Sequence, residues 1–316
     1  MIISASRRTD IPCFYSEWFM ERIRAGYVLV RNPMNASQVS RVVLNPEVVD
    51  CIVFWTKDAG NMMDQLASLD EAGYRYCFQY TVTPYGNDLE RHLRSKKEIL
   101  ENFKKLSTRL GKHRVIWRYD PIIINERYPV SYHAEAFAAM CGELSGYTDR
   151  VVISFVDPYR KLQDRGIREI PEPVMREVAG KIGKTAAHCQ IRAQSCGEIA
   201  DLEDCGIRRG ACIDREILEQ ACGCRLDLKR AKGQRPACQC AESIDIGAYN
   251  TCLNGCVYCY ANYSERSIRE NRKKHDRNSE FLLGSRRETD RVYERRQESC
   301  RICQETLWGF KMRGGK

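Results

Sequence analysis

Ser243-Ile-Asp-Ile-Gly-Ala-Tyr-Asn-Thr-Cys252-Leu-Asn-Gly-Cys256-Val-Tyr-Cys259-Tyr-Ala-Asn262 is the stretch from which the rest of the chain is read. A β-rich run, Ser243–Tyr249, leads into a loop that holds Cys-x3-Cys-x2-Cys. Thiolates at this spacing can wrap one corner of a cubic [4Fe–4S] cluster. Three ligands leave the fourth iron open to a chelating small molecule, as a catalytic zinc site keeps one position open. Gly255 lets the backbone bend around such a group. A structural zinc site is the competing reading, but it needs a fourth ligand and usually uses Cys-x2-Cys pairs.

Upstream, further β-rich runs recur at Met1–Ser6, Cys51–Trp55, Tyr74–Thr83, Arg114–Tyr119, Arg150–Phe155 and Cys189–Gln194. Tyr27–Arg31 and Val39–Leu44 have the pattern of a hairpin. Helical periodicity fills the intervals, at Tyr15–Ala25, Met62–Ala72, Leu89–Leu110, Tyr132–Leu144 and Glu172–Gly183. Alternating strands and helices predict an α/β fold with a mainly parallel sheet, here a full or partial (β/α) TIM-like barrel. Chemistry in such folds collects at the C-terminal ends of the strands. That rule selects Asp10, Lys57, Tyr80, Arg118 and Asp157 as cavity candidates, although Asp-Pro pairs such as Asp120-Pro121 and Asp157-Pro158 are also ordinary turn formers.

The 316 residues have a mean hydropathy of −0.51 and contain no long apolar run, which excludes a spanning helix. The first residues lack the pattern of a signal peptide, and the expected compartment is the cytoplasm. Seventeen cysteines, an odd number, argue against a disulfide framework there. Eleven fall between Cys189 and Cys259, whereas Cys51, Cys77 and Cys141 sit in apolar surroundings that suit small buried side chains. The net charge of +9 owes much to Lys and Arg beyond residue 260, where acidic residues are interleaved. A solvated face explains that pattern, and a nucleic-acid partner is the sharper alternative.

The triplet resembles the signature of radical S-adenosylmethionine (SAM) enzymes, which carry Cys-x3-Cys-x-aromatic-Cys on the loop after a barrel strand; Tyr258 fills the aromatic position. The resemblance implies a [4Fe–4S] cluster on Cys252, Cys256 and Cys259, SAM chelated to the open iron, and Tyr258 packed near its adenine. It also implies a small electron donor such as flavodoxin or ferredoxin, and sensitivity to oxygen. In most of that superfamily the triplet follows the first strand; here it follows the last, so the barrel is expected to be circularly permuted, with the triplet strand beside Met1–Ser6. The Gly-Gly-Glu element that usually binds the SAM amino group is absent. Asp10 is the expected partner of the ammonium and Arg7 or Arg8 that of the carboxylate. Ser6-Arg-Arg-Thr-Asp-Ile-Pro12 and Gly255-Cys-Val-Tyr-Cys-Tyr-Ala-Asn262 together resemble the bacterial DUF1848 family over roughly residues 1–265. Trp117-Arg118-Tyr119-Asp120-Pro121 is similar to an Arg-x-Asp-Pro element of the spore photoproduct lyase branch.

A second cysteine group lies in the basic stretch before the triplet. Nearby cations favour thiolates, and Cys196, Cys212, Cys238 and Cys240 are the expected ligands of a second [4Fe–4S] cluster or of zinc, with Cys222 and Cys224 as substitutes. Cys300 and Cys303 are expected to be free thiols. The implied organisation is residues 1–202 plus 242–265 as barrel and cluster loop, 203–241 as a Cys-rich metal-binding insertion, and 266–316 as a charged helical tail. The alternative from another functional class is a zinc-stabilised nucleic-acid-binding protein without catalysis.

Overall fold

The structure, a computed structural model, describes residues 1–157, 162, 167–295 and 297–302; Cys303 and the tail beyond it lie outside the described residues. The expected runs form β1 (Ile2–Ala5), β4 (Cys51–Thr56), β5 (Tyr76–Thr81), β6 (Val115–Ile122), β7 (Arg150–Phe155), β8 (Arg192–Cys196) and β10 (Ile244–Asp245). The hairpin is β2 (Tyr27–Asn32) with β3 (Asn35–Val43). Two strands were not anticipated, β9 (Arg208–Gly210) and β11 (Arg291–Glu294).

Eight strands form one parallel sheet in the order β10-β1-β4-β5-β6-β7-β8-β9. The triplet strand β10 lies beside β1, pairing Ile3 with Ile244 and Ser4 with Asp245, as the permuted order requires. The ring does not close. β9 and β10 are the two edges, and among the described residues no pairing joins them, so the molecule is an open α/β sheet.

Period-two alternation gives this sheet two different faces. Ile52 and Phe54, Tyr76, Phe78 and Tyr80, and Val115, Trp117 and Tyr119 point into the main core with the helices. Cys51, Val53, Cys77, Ile116 and Val152 point the other way. That second face is covered by residues 211–241. Gln79 Nε2 donates to the Cys212 carbonyl at 2.7 Å, Gln194 Nε2 to the Ala211 carbonyl at 3.0 Å, and Arg150 Nη2 to Glu216 at 2.8 Å. The Cys-rich stretch 203–241 therefore includes the edge strand β9 and the helix Arg215–Cys222, as well as irregular chain packed on the sheet.

Three elements differ from the sequence reading. The helix expected over Leu89–Leu110 spans only Lys96–Leu110, because Ser95 and Glu98 form a reciprocal capping box. Residues 89–92 instead pair with the triplet loop, through Val257 N to the Leu89 carbonyl at 2.9 Å and His92 N to the Asn254 carbonyl at 3.2 Å. The helix expected to end at Gly183 continues to His188, which moves β8 to Arg192–Cys196. Among the described residues of the charged tail, helix is confined to Glu265–Arg272. The chain then packs on the helix Ser16–Ala25 and on the hairpin: Trp18 Nε1 donates to the Ser279 carbonyl at 3.0 Å, Arg31 pairs with Asp290, and β11 adds to β3.

Beneath β4, Asp50 is fully buried and gathers both ends of the described chain. Its carboxylate accepts from the Met1 ammonium, from Ser299 Oγ and Cys300 N at 2.6 Å each, and pairs with Arg301 at 3.1 Å. Removing a buried charge from its partners costs about 3–5 kcal/mol. Asp50→Ala is expected to lower unfolding stability by about 3 kcal/mol in urea. It should also expose the segment around Ser299 to limited proteolysis; unchanged stability and cleavage would contradict this role.

Candidate metal centres and their shared cavity

The triplet loop is fixed from below by one carboxylate. Asp245, at the end of β10, accepts from Ser4 Oγ at 2.9 Å, Ser6 Oγ at 2.6 Å, Arg7 N at 2.8 Å and its own Gly247 N at 3.0 Å. This ties the Ser6–Asp10 motif to the strand that carries the triplet, although the two are about 240 residues apart in sequence (|i−j| of 239 for Ser6). Gly247 must lack a side chain, since a Cβ there would lie 2.1 Å from Ser6 Oγ.

Asp10 fixes the loop from the side. Its Oδ1 accepts from Cys13 N at 3.0 Å, and its Oδ2 from Lys57 N at 2.8 Å and Asn254 Nδ2 at 3.1 Å. Burial pushes its carboxyl up to about 6 against the pull of these donors. Both oxygens accept from internal donors, so Asp10, which also lines the cavity at the strand ends, positions the loop. Above it, Tyr15 Oη donates to the Thr251 carbonyl at 2.6 Å and Asn262 Nδ2 to the Cys252 carbonyl at 2.8 Å. Gly255 has φ +67°, the left-handed conformation the loop requires, and a Cβ there would meet His92 Nδ1 at 2.7 Å.

Tyr258 is buried and donates to Glu90, which also accepts from Thr83 Oγ1 at 2.6 Å and from Lys57 Nζ at 2.7 Å and pairs with Lys96. Burial works to raise the Glu90 carboxyl, but the two ammonium groups outweigh it and hold the carboxyl at about 2. Burial pushes the Cys256 thiol up to about 12, with the Lys57 ammonium pulling it down.

At the C-terminal ends of the strands lies a cavity of about 400 Å³. Among the residues expected from sequence, Arg7, Arg8, Asp10, Lys57, Arg118, Asp157 and Tyr258 line it, together with Cys252, Cys256, Cys259, Cys196, Cys212, Cys238 and Cys240. Tyr80 does not. It shares the parity of Tyr76 and Phe78, so its ring packs on Phe103 at 5.0 Å on the helix side, and its Oη donates to the Ile99 carbonyl at 3.3 Å. Its neighbour Thr81 takes the place on the cavity wall. Sequence reading also missed Thr9, Trp55 and Asn254, which line the cavity and carry buried Oγ1, Nε1 and Oδ1 atoms with no hydrogen-bond partner.

The wall beyond the triplet carries the second thiol group. Cys196 ends β8, Cys212 follows β9 and Cys240 precedes β10, and their Sγ atoms all lie within 4.8 Å of one another, buried, an arrangement that could hold a metal ion. Thiol donors from Cys196, Cys212 and Cys238 drive the Cys240 thiol far down. Arg118 Nη1 lies 2.7 Å from Cys212 Sγ, and its guanidinium pairs with Asp120 and stands over the Trp55 ring at 5.1 Å. Asp157 pairs with Arg235 at 2.7 Å. Cys222 and Cys224 lie apart from these ligands: the Cys222 thiol donates to the Asp50 carbonyl at 3.1 Å, at the N-terminal end of β4, with Cys51 beside it, and Cys224 is next to Cys222. Cys300 packs at that same end.

The model of the family described as "Domain of unknown function (DUF1848)" matches residues 2–261. The chain belongs to the DUF1848 family. No curated protein matches. Among solved structures, an HpcH/HpaI aldolase from Desulfitobacterium hafniense DCB-2 aligns at 13% identity and a TM-score of 0.26, covering 60% of this chain and 87% of that one. Among the described residues, no helix is long and apolar enough to cross a membrane.

Asp245→Ala would leave two hydroxyls and two backbone N–H groups short of an acceptor. A buried unsatisfied group costs about 1–3 kcal/mol. The DUF1848 chain carrying this change is expected to lose about 3 kcal/mol in a denaturant titration, and Asp245→Asn, which keeps one oxygen, should lose less. Equal losses in the two variants would sink the assignment.

Proposed function

We propose that this DUF1848 protein is a radical SAM enzyme, with its cluster on Cys252, Cys256 and Cys259. The observation that carries this reading is the pairing of three triplet thiols with orphaned polar atoms, Thr9 Oγ1, Trp55 Nε1 and Asn254 Oδ1, around one cavity. Buried polar groups without a partner are rare in native proteins, and at a cavity wall a bound ligand is one way to satisfy them. The donor set fits the group: three thiolates for a cluster, an open iron for a chelating amino acid, and polar atoms beside it. A cluster held by Cys252, Cys256 and Cys259 with SAM on its open iron would supply reductive radical chemistry, generating a 5′-deoxyadenosyl radical able to abstract hydrogen.

The chain's own residues then bind and orient. Asn254 Oδ1 and Thr9 Oγ1 are the acceptors we assign to the SAM ammonium; Asp10 holds Asn254 in place through its Nδ2. Arg7 and Arg8 are the candidates for the carboxylate. Arg7 is steadied by Ser243 Oγ at 3.1 Å and Arg8 by the Tyr249 ring at 5.2 Å. Tyr258, pinned to Glu90, presents its ring to the adenine side. Lys57 and Arg118 bring positive charge to the wall, where it steadies thiolates. The proposed setting is the cytoplasm, with a flavodoxin or ferredoxin as electron donor.

Anaerobic reconstitution followed by EPR tests the reading. We expect about four irons and four sulfides per chain and a reduced-cluster signal perturbed by SAM. Asn254→Ala should retain the iron and weaken SAM binding by about tenfold, the equivalent of roughly 1.4 kcal/mol. Zinc without iron, and no response to SAM, would overturn the proposal in favour of a zinc-stabilised nucleic-acid-binding protein.

A further inference from the structure

The two thiol groups that share the cavity differ in how tightly they are drawn together. Among the described residues, Cys196, Cys212 and Cys240 are the one set of three or more possible ligands whose donor atoms fall within 4.8 Å of one another; the triplet is not such a set. A single tetrahedral ion with metal–sulfur bonds of about 2.3 Å places its thiolates about 3.8 Å apart. A cube places each thiolate on its own iron and must spread them by the width of the cube as well. In the tight set Cys212 Sγ lies 2.7 Å from Cys196 Sγ, and all three thiols are far nearer the spacing of one ion than that of a cube.

Three protein thiolates leave the fourth position of that ion to another donor. Cys238, two residues away, lines the cavity and contacts Cys240, yet it lies outside the set. We infer that Cys196, Cys212 and Cys240 hold a single thiophilic divalent ion such as zinc, and that its fourth position takes the sulfur of a small-molecule thiol bound in the cavity. Three arguments fix the ligand class. Thiolate-rich sites prefer soft donors. The ligands surround the same cavity as the triplet, so a molecule held by its sulfur lies within that space. The Arg118 guanidinium, 2.7 Å from Cys212 Sγ, offsets the charge that a fourth thiolate adds. On binding, the thiol yields its proton to buffer and its thiolate displaces a water from the ion; nothing is oxidised or reduced. The inference rests on the proposed function for what happens next to the bound molecule, but the ion and its exchangeable position stand independently of it.

The test is cobalt substitution in the full chain carrying Cys252→Ala, Cys256→Ala and Cys259→Ala, titrated anaerobically with 2-mercaptoethanol. We expect one cobalt per chain with tetrahedral d–d bands. Thiolate-to-cobalt charge-transfer intensity should rise saturably by about one third as three thiolates become four, and adding Cys238→Ser should change neither the metal content nor the rise. A spectrum already at four-thiolate intensity and indifferent to the added thiol, with intensity lost in Cys238→Ser, would make Cys238 the fourth ligand and overturn the inference. So would iron and sulfide in place of a single ion. If the triple variant does not fold, zinc-edge X-ray absorption on the unaltered protein reads the same point: three sulfurs and one oxygen, becoming four sulfurs with 2-mercaptoethanol, support it, and four sulfurs throughout refute it. A wild-type cluster that ignores SAM, beside a positive cobalt result, would remove the radical reading alone.

Discussion

The site depends first on the carboxylate of Asp245. β10 is only two residues long, too short to hold its place by backbone pairing alone. The loop after it is long, irregular and bears three thiols. Asp245 compensates by accepting four hydrogen bonds, three of them from the end of β1 and the turn that follows. An anionic acceptor strengthens each bond relative to a neutral one. The position of the triplet is thereby set by the N-terminal Ser-Arg-Arg-Thr-Asp motif, and Asp10 extends the same linkage to Lys57 and Asn254. This is a physical reason for two motifs at opposite ends of the chain to occur together.

The elements whose signal is local were legible in the sequence. Hydrophobic alternation located seven strands of the parallel sheet, and the placement of β10 beside β1 followed from counting strands around a permuted order. What failed was information that depends on partners distant in sequence. Periodicity ran the helix back to Leu89, because nothing within that window reveals that residues 89–92 pair with the triplet loop. The capping box at Ser95 and Glu98 was the available signal, and it outweighs periodicity because it satisfies terminal N–H groups that the longer helix would have used differently.

The misplacement of Tyr80 has a simpler cause. Side chains along β5 alternate, and Tyr76, Phe78 and Tyr80 share one face with the helices. Gln79 and Thr81 share the other. Choosing a tyrosine because it lay near a strand end ignored parity, whereas Arg118 and Asp120 shared the parity of Ile116 and reached the cavity. Asp245, Thr9, Asn254 and Glu90 could not have been selected by type, since each is an ordinary polar residue in a loop or at a strand end. They gain significance from what they touch or from the partner they lack.

The open edge of the sheet gives the two thiol groups a common origin. A closed barrel would join β9 to β10 by backbone hydrogen bonds. Here the chain leaves β9, crosses the inner face as residues 211–241, and returns at β10. Cys212 sits where that excursion begins, Cys238 and Cys240 where it ends, Cys196 at the end of the neighbouring strand β8, and the triplet just past β10. Seven thiols thus face the cavity around the place where strand pairing is interrupted. A metal bound there ties together segments that hydrogen bonds do not join, because each ligand bond fixes a different stretch of chain. If a metal binds there, assembly of the cavity and metal binding are one event, and the metal-free chain would be loosest at the gap between β9 and β10.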